Sequence, residues 1–217
     1  MVNYPTGSLI NFNDGQTRDL INKTKNKKVA RHKDTVFSDR GMNLEQQINE
    51  SNNYYLSKNI AVVHKKPTPV QIVKVDYPKR SRAVIKEAYF RQASTTDYNG
   101  VYKGYYLDFE AKETRNKQSF PLKNFHEHQI IHLSQCLRQQ GICFTIIRFA
   151  SLNRYFVTPA SFIVDAWYAW KKKDKSSISL IQLSENSIEI KSGYRPTLPY
   201  LQAVDKIIER SEVKNDR

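Results

Sequence analysis

The chain has 217 residues, with 35 Lys and Arg against 21 Asp and Glu, for a formal net charge of +14 at pH 7. That length suits one domain with an elaboration, and no apolar run is long enough to cross a bilayer. Cys136 and Cys143 are too few for a disulfide framework or a multi-cysteine zinc module, and the N-terminus lacks the apolar stretch of a secretory signal, so a cytoplasmic protein with reduced thiols is expected. A charge of this size is drawn to phosphate backbones through counterion release, which favours a nucleic-acid partner over a membrane surface or an acidic protein.

Residues 1–40 are polar and basic with almost no hydrophobic periodicity. They read as an arm that either lies along a phosphate backbone or stays a solvated tail. The remaining residues, 41–217, are expected to form the folded domain. Leu44, Ile48 and Tyr55 recur at near-helical spacing and predict a helix over 42–57, and the β-branched run at 60–64 predicts a strand. The stretch 65–87 alternates apolar residues with Lys65, Lys66, Lys74, Lys79, Arg80, Arg82 and Lys86, and Pro67, Pro69 and Pro78 break it. So much charge and proline argues against a central strand pair, and the segment reads as an excursion projecting from the core.

Asn99-Gly100 is a strong local hairpin signal and predicts a turn with strands on both sides, YYLDFEAK being the second. A helix is expected over 124–140, closed by Gly141. The apolar run 142–150 predicts a buried strand, 155–160 another, and 161–173 a helix whose three terminal lysines suit its C-terminus. A short strand at 187–190 and a last helix over 200–209 complete a mixed α/β order.

Asp97 lies just before the expected turn, while Glu110 and Lys112 alternate on one strand. Residues i and i+2 of a strand share a face, and a hairpin can bring Asp97 back beside that face. Two carboxylates supply hard oxygen ligands for Mg²⁺, and an ammonium can orient water or neutralise charge on a pentacovalent phosphate. The same charges could instead solvate a polar face, because D-x(12)-E-x-K arises often by chance.

The stretch from Thr95 to Thr114 resembles the nuclease signature of the RecU family: Asp, a hairpin, then Glu-x-Lys. The similarity extends to NIAVVHKKPTPVQIVKVDYPKRSRAVIKEAYF upstream, and to FPLKNFHEHQIIHL and GYRPTLPYLQAVDKI downstream. The resemblance implies a restriction-endonuclease-like core, a mixed central sheet flanked by helices with a protruding stalk at about 65–87. It implies an enzyme, a homodimeric Holliday junction resolvase acting in recombination, DNA repair and chromosome segregation. Asp97 and Glu110 would be Mg²⁺ ligands, with Mn²⁺ as a substitute, and Thr95 and Gln129 would join them at the metal. The Ala111 carbonyl would face the same ion. Lys112 would stabilise the transition state, and Glu45 is an accessory candidate by analogy with a helix carboxylate in this fold. The stalk would enter the junction centre, with Lys65, Lys66, Lys79, Arg80 and Arg82 as DNA-contacting cations. Recombinase and branch-migration proteins are implied partners.

Other signals are weaker. HEHQIIH lacks the H-E-x-x-H spacing, so His126, His128 and His132 are expected to face solvent or DNA. Trp167 and Trp170 suit core or dimer packing. A duplex-specific endonuclease on the same core, and an architectural protein that binds junctions without cutting them, are the rival functions.

Overall fold

The computed structural model describes residues 42–77, 83–91 and 95–215. The basic segment 1–40 and the stalk cations Lys79, Arg80 and Arg82 lie outside the described residues. Helix α1 (Leu44–Ser57) begins at Asn43, whose side chain accepts from the Gln46 N–H while the Gln46 side-chain Oε1 accepts from the Asn43 N–H. This reciprocal cap satisfies two otherwise orphaned donors. Leu44, Ile48, Ser51 and Tyr55 form the buried stripe of α1.

The central sheet has six strands in the order β1 (Val62–Lys65), β4 (Tyr98–Tyr102), β5 (Tyr105–Thr114), β7 (Ile142–Phe149), β8 (Arg154–Pro159) and β10 (Ile188–Ile190). Only β5 and β7 run parallel; the other neighbours are antiparallel. A parallel pair needs a crossover, and helix α2 (Glu127–Arg138) supplies it. Strand β7 is apolar almost throughout because both of its faces are covered. Ile142, Phe144 and Ile146 join a core with α1 and α5 (Leu201–Asn215). Cys143, Ile147 and Phe149 join a second core with α2, α3 (Ala160–Lys171) and α4 (Leu180–Asn186). Trp167 belongs to that second core, with the Trp170 ring 4.9 Å away.

The segment after β1 forms an antiparallel ribbon of β2 (Val70–Asp76) and β3 (Val84–Phe90), separate from the central sheet and with every β3 residue exposed. Strands do form here, paired with each other and not with the central sheet. A second small ribbon pairs β6 (Ser119–Pro121) with β9 (Ser177–Ser179), and neither these strands nor α4 were expected from the sequence.

The expected Asn99-Gly100 turn is not one. Both residues lie inside β4, and the chain reverses at Lys103 and Gly104, whose φ values of 51° and 85° are the positive pair a type I′ turn requires. Gly100 has a different purpose. A Cβ on it would lie 2.1 Å from the Val62 carbonyl oxygen and 2.6 Å from the Val63 Cα, so only glycine lets β1 pack here.

Candidate active site

The β4–β5 register pairs Tyr98 with Phe109, which sets Asp97 beside Glu110. The Asp97 N–H donates to Glu110 Oε2 at 3.1 Å, and the Ala111 N–H lies 3.5 Å from Asp97 Oδ2. On β5, Leu107 and Phe109 face the core with α1, so Asp108, Glu110 and Lys112 share the opposite face, beneath α2. From α2, Gln129 Nε2 donates to Glu110 Oε1 at 2.6 Å. The Lys112 ammonium approaches that same oxygen at 2.8 Å and lies 5.7 Å from the Phe125 ring centre.

Glu110 is fully buried. Burial is the main reason its carboxyl is pushed up to about 8, with the nearby Asp97 carboxylate adding to the rise and Lys112 opposing it. Two converging carboxylates, one of them buried, with the Gln129 amide beside them, form an oxygen-rich donor set that fits a small divalent cation. Thr95 is half-buried two residues before Asp97, and its hydroxyl donates to the Thr96 carbonyl at 3.4 Å. Glu45 is placed differently: it pairs with Lys65 at 2.5 Å, both side chains being largely exposed.

A second polar cluster adjoins the first and was not anticipated. Asp108 is fully buried, two residues before Glu110 on the same face. It accepts from the Lys66 ammonium at 2.8 Å, the Tyr106 hydroxyl at 2.8 Å and the Thr96 hydroxyl, and His132 Nε2 lies 3.1 Å from it. Burial alone would raise the Asp108 pKa, but these bonds together hold it below the usual carboxylate range. Lys66 therefore turns inward, its side chain only 18% exposed, and His132 faces the sheet, not the solvent. Cys136 Sγ lies 3.6 Å from His132 Nε2, so Asp108, His132 and Cys136 gather donors that the sequence spacing did not reveal. The cation already on this carboxylate is the Lys66 ammonium. The available signal was parity: Asp108, Glu110 and Lys112 alternate on one strand. His126 and His128 stack with ring centres 5.5 Å apart near the start of α2. A cavity of about 680 Å³, lined in part by Leu137, Ile142, Phe162 and Ile207, contains none of these polar groups.

A mixed sheet flanked by helices, with two carboxylates and a lysine converging at the hairpin of its central strands, defines a nuclease-type α/β domain. Residues 39–206 match the family model described as Recombination protein U. A protein of Lactobacillus helveticus named Holliday junction resolvase RecU is 70% identical over 215 residues, covering 98% of this chain and 99% of that one. Proteins of the same name from Lactiplantibacillus plantarum and Limosilactobacillus reuteri are 57% and 53% identical, covering 93% and 92% of this chain and 97% of each relative. The chain belongs to the RecU family, and this membership implies a divalent metal ion.

Proposed function

We propose that this chain is a Mg²⁺-dependent Holliday junction resolvase that nicks two opposed strands of a four-way junction in recombination, DNA repair and chromosome segregation. The observation that carries the reading is the convergence of Asp97, Glu110, Gln129 and Lys112 on one point beneath α2. Family membership and the names of the relatives supply the substrate.

Asp97 and Glu110, assisted by Thr95 and Gln129, would hold Mg²⁺, with Mn²⁺ as a substitute. When bound, the ion supplies Lewis acidity to the scissile phosphate and makes a water more acidic. The chain's own groups do the rest. Gln129 fixes the Glu110 carboxylate by donating to one of its oxygens, and the Asp97 N–H fixes the other. The Lys112 ammonium, held against the Phe125 ring, is placed to offset the negative charge that grows on the phosphate during in-line attack. Glu45 is assigned to the Lys65 pair and not to the metal.

Residues 41–217 form the nuclease domain in this reading, with 1–40 as a basic arm and 65–87 as a stalk. The exposed β2–β3 ribbon, with Lys65, Lys79, Arg80 and Arg82, contacts the junction, and shape and phosphates dominate recognition. A homodimer presents two equivalent sites to a two-fold junction. Recombinase and branch-migration proteins are further partners. Among the described residues no helix is long and apolar enough to cross a membrane, and a cytoplasmic location suits DNA work.

The test is a nicking assay on a mobile four-way junction and on matched linear duplex, with Mg²⁺ or with EDTA. Paired Mg²⁺-dependent nicks on the junction alone are expected, and Asp97→Ala is expected to abolish them while junction binding survives. Equal cutting of linear duplex would make the chain a duplex endonuclease. Tight binding with no cutting would make it an architectural protein.

A further inference from the structure

We infer that Asp108, through Lys66, Thr96 and His132, is the positioning centre that holds the three parts of the catalytic group in register. The inference rests on the proposed metal-binding roles of Asp97, Glu110 and Gln129. Those residues come from three separate pieces of chain: the segment before β4, strand β5 and helix α2. Each piece also sends a neighbouring side chain to Asp108. Thr96, next to Asp97, donates its hydroxyl to Asp108 Oδ1. His132, one helical turn beyond Gln129, reaches Asp108 Oδ2 at 3.1 Å. Asp108 itself stands two residues before Glu110 on the same face, and the Tyr106 hydroxyl braces it from the preceding same-face position at 2.8 Å.

The Asp97 segment depends on this clasp more than the others do, because it lies just outside the ladder of β4. The Lys66 N–H donates to the Asp97 carbonyl at 2.7 Å, while the Lys66 ammonium donates to the Thr96 hydroxyl at 3.0 Å and to Asp108 at 2.8 Å. One lysine thus grips the segment by backbone and by side chain. A buried ion pair adds little stability over apolar packing of the same volume. What this one supplies is geometry: groups that orient metal ligands typically change metal affinity or activity by 10–100-fold when removed. Asp108 and Lys66 are positioning residues, since neither touches the Asp97–Glu110 carboxylate pair with its side chain.

The experiment uses the full chain and four variants: Thr96→Val, Thr96→Ser, Asp108→Asn and, as reference, Asp97→Ala. Mn²⁺ binding is read by electron paramagnetic resonance, junction binding in Ca²⁺, and the single-turnover nicking rate in Mg²⁺. Thr96→Val keeps the side-chain shape and deletes the hydroxyl. It is expected to weaken Mn²⁺ binding and slow nicking by roughly tenfold or more, with junction affinity unchanged, and Thr96→Ser is expected to restore both. Asp108→Asn should follow Thr96→Val; if it does not fold, the two Thr96 variants decide alone. Thr96→Val and Asp108→Asn that bind Mn²⁺ and cut like the parent, beside an inactive Asp97→Ala, would overturn the inference and leave the proposed function standing. Parallel loss of metal and junction binding in Thr96→Val would also overturn it, as a general structural failure. An Asp97→Ala protein that still cuts would overturn the proposed function itself.

Discussion

Gln129 is bonded at both ends of its amide. Its oxygen accepts the His126 N–H at 3.0 Å at the start of α2, and its nitrogen donates to Glu110 at 2.6 Å. One side chain therefore caps a helix and fixes a buried carboxylate. Gln129→Ala should lose both contributions: about 1 kcal/mol of stability from the cap and roughly 10–100-fold in nicking rate. Urea melts and single-turnover assays on one preparation separate the two effects, and an unchanged nicking rate would remove Gln129 from the site.

Burial raises the Glu110 carboxyl to about 8 from an ordinary value of 4.5. A carboxyl raised on folding favours the protonated folded form. Its contribution is fully present below the unfolded value and is lost as pH rises through the folded one. In EDTA the protein should therefore become less stable between about pH 4.5 and pH 8, by an amount on the order of a few kcal/mol. Glu110→Gln should flatten that decline, and Mg²⁺ should offset it in the parent. Thermal melts at pH 5 and pH 8.5, with and without EDTA, test this; parallel curves for parent and variant would contradict it.

Lys65 and Lys66 are neighbours with opposite expected phenotypes. Lys65 forms an exposed pair with Glu45, and such pairs contribute about 0–1 kcal/mol. Lys65→Ala should leave stability nearly intact, weaken junction binding, and lower the salt-dependence slope by about 1. Lys66→Met strands the buried Asp108 carboxylate without its cation, which should cost roughly 3–5 kcal/mol. Urea denaturation alongside binding titrations at several salt concentrations distinguishes them.

Gly100 and Gly104 should also behave differently when replaced by alanine. At Gly100 the added methyl meets the Val62 carbonyl oxygen and the Val63 Cα, so β1 must shift away from β4. The loss should reach roughly 2–4 kcal/mol, in the range of core overpacking. At Gly104 nothing lies within 4 Å and the φ of 85° is the obstacle, worth about 1–2 kcal/mol. Denaturant midpoints that rank the two the other way would show the strand contact to be adjustable.

Strand parity is a local rule, and it places Glu110 and Lys112 on one face of β5 as the sequence suggested, whereas Asp97 reaches Glu110 through a hairpin that turns at Lys103 and Gly104 and not at Asn99-Gly100. Gly100 was misread for the opposite reason. Its requirement comes from β1, nearly forty residues upstream, and local turn propensity could not register it. Lys66 and His132 looked like surface charges because their common partner, Asp108, lies 42 residues from one and 24 from the other. The three-residue strands β6 and β9 are too short for any hydrophobic period to develop.

The β2–β3 ribbon has both of its roots in the Asp108 clasp. The chain leaves the central sheet at Lys66 and returns at Thr95 and Thr96, and the ammonium of the first lies 3.0 Å from the hydroxyl of the last. In the proposed function, a junction held on the ribbon would pull on the same short segment that sets Asp97 against Glu110, so branch-point recognition and alignment of the cutting groups would share one anchor.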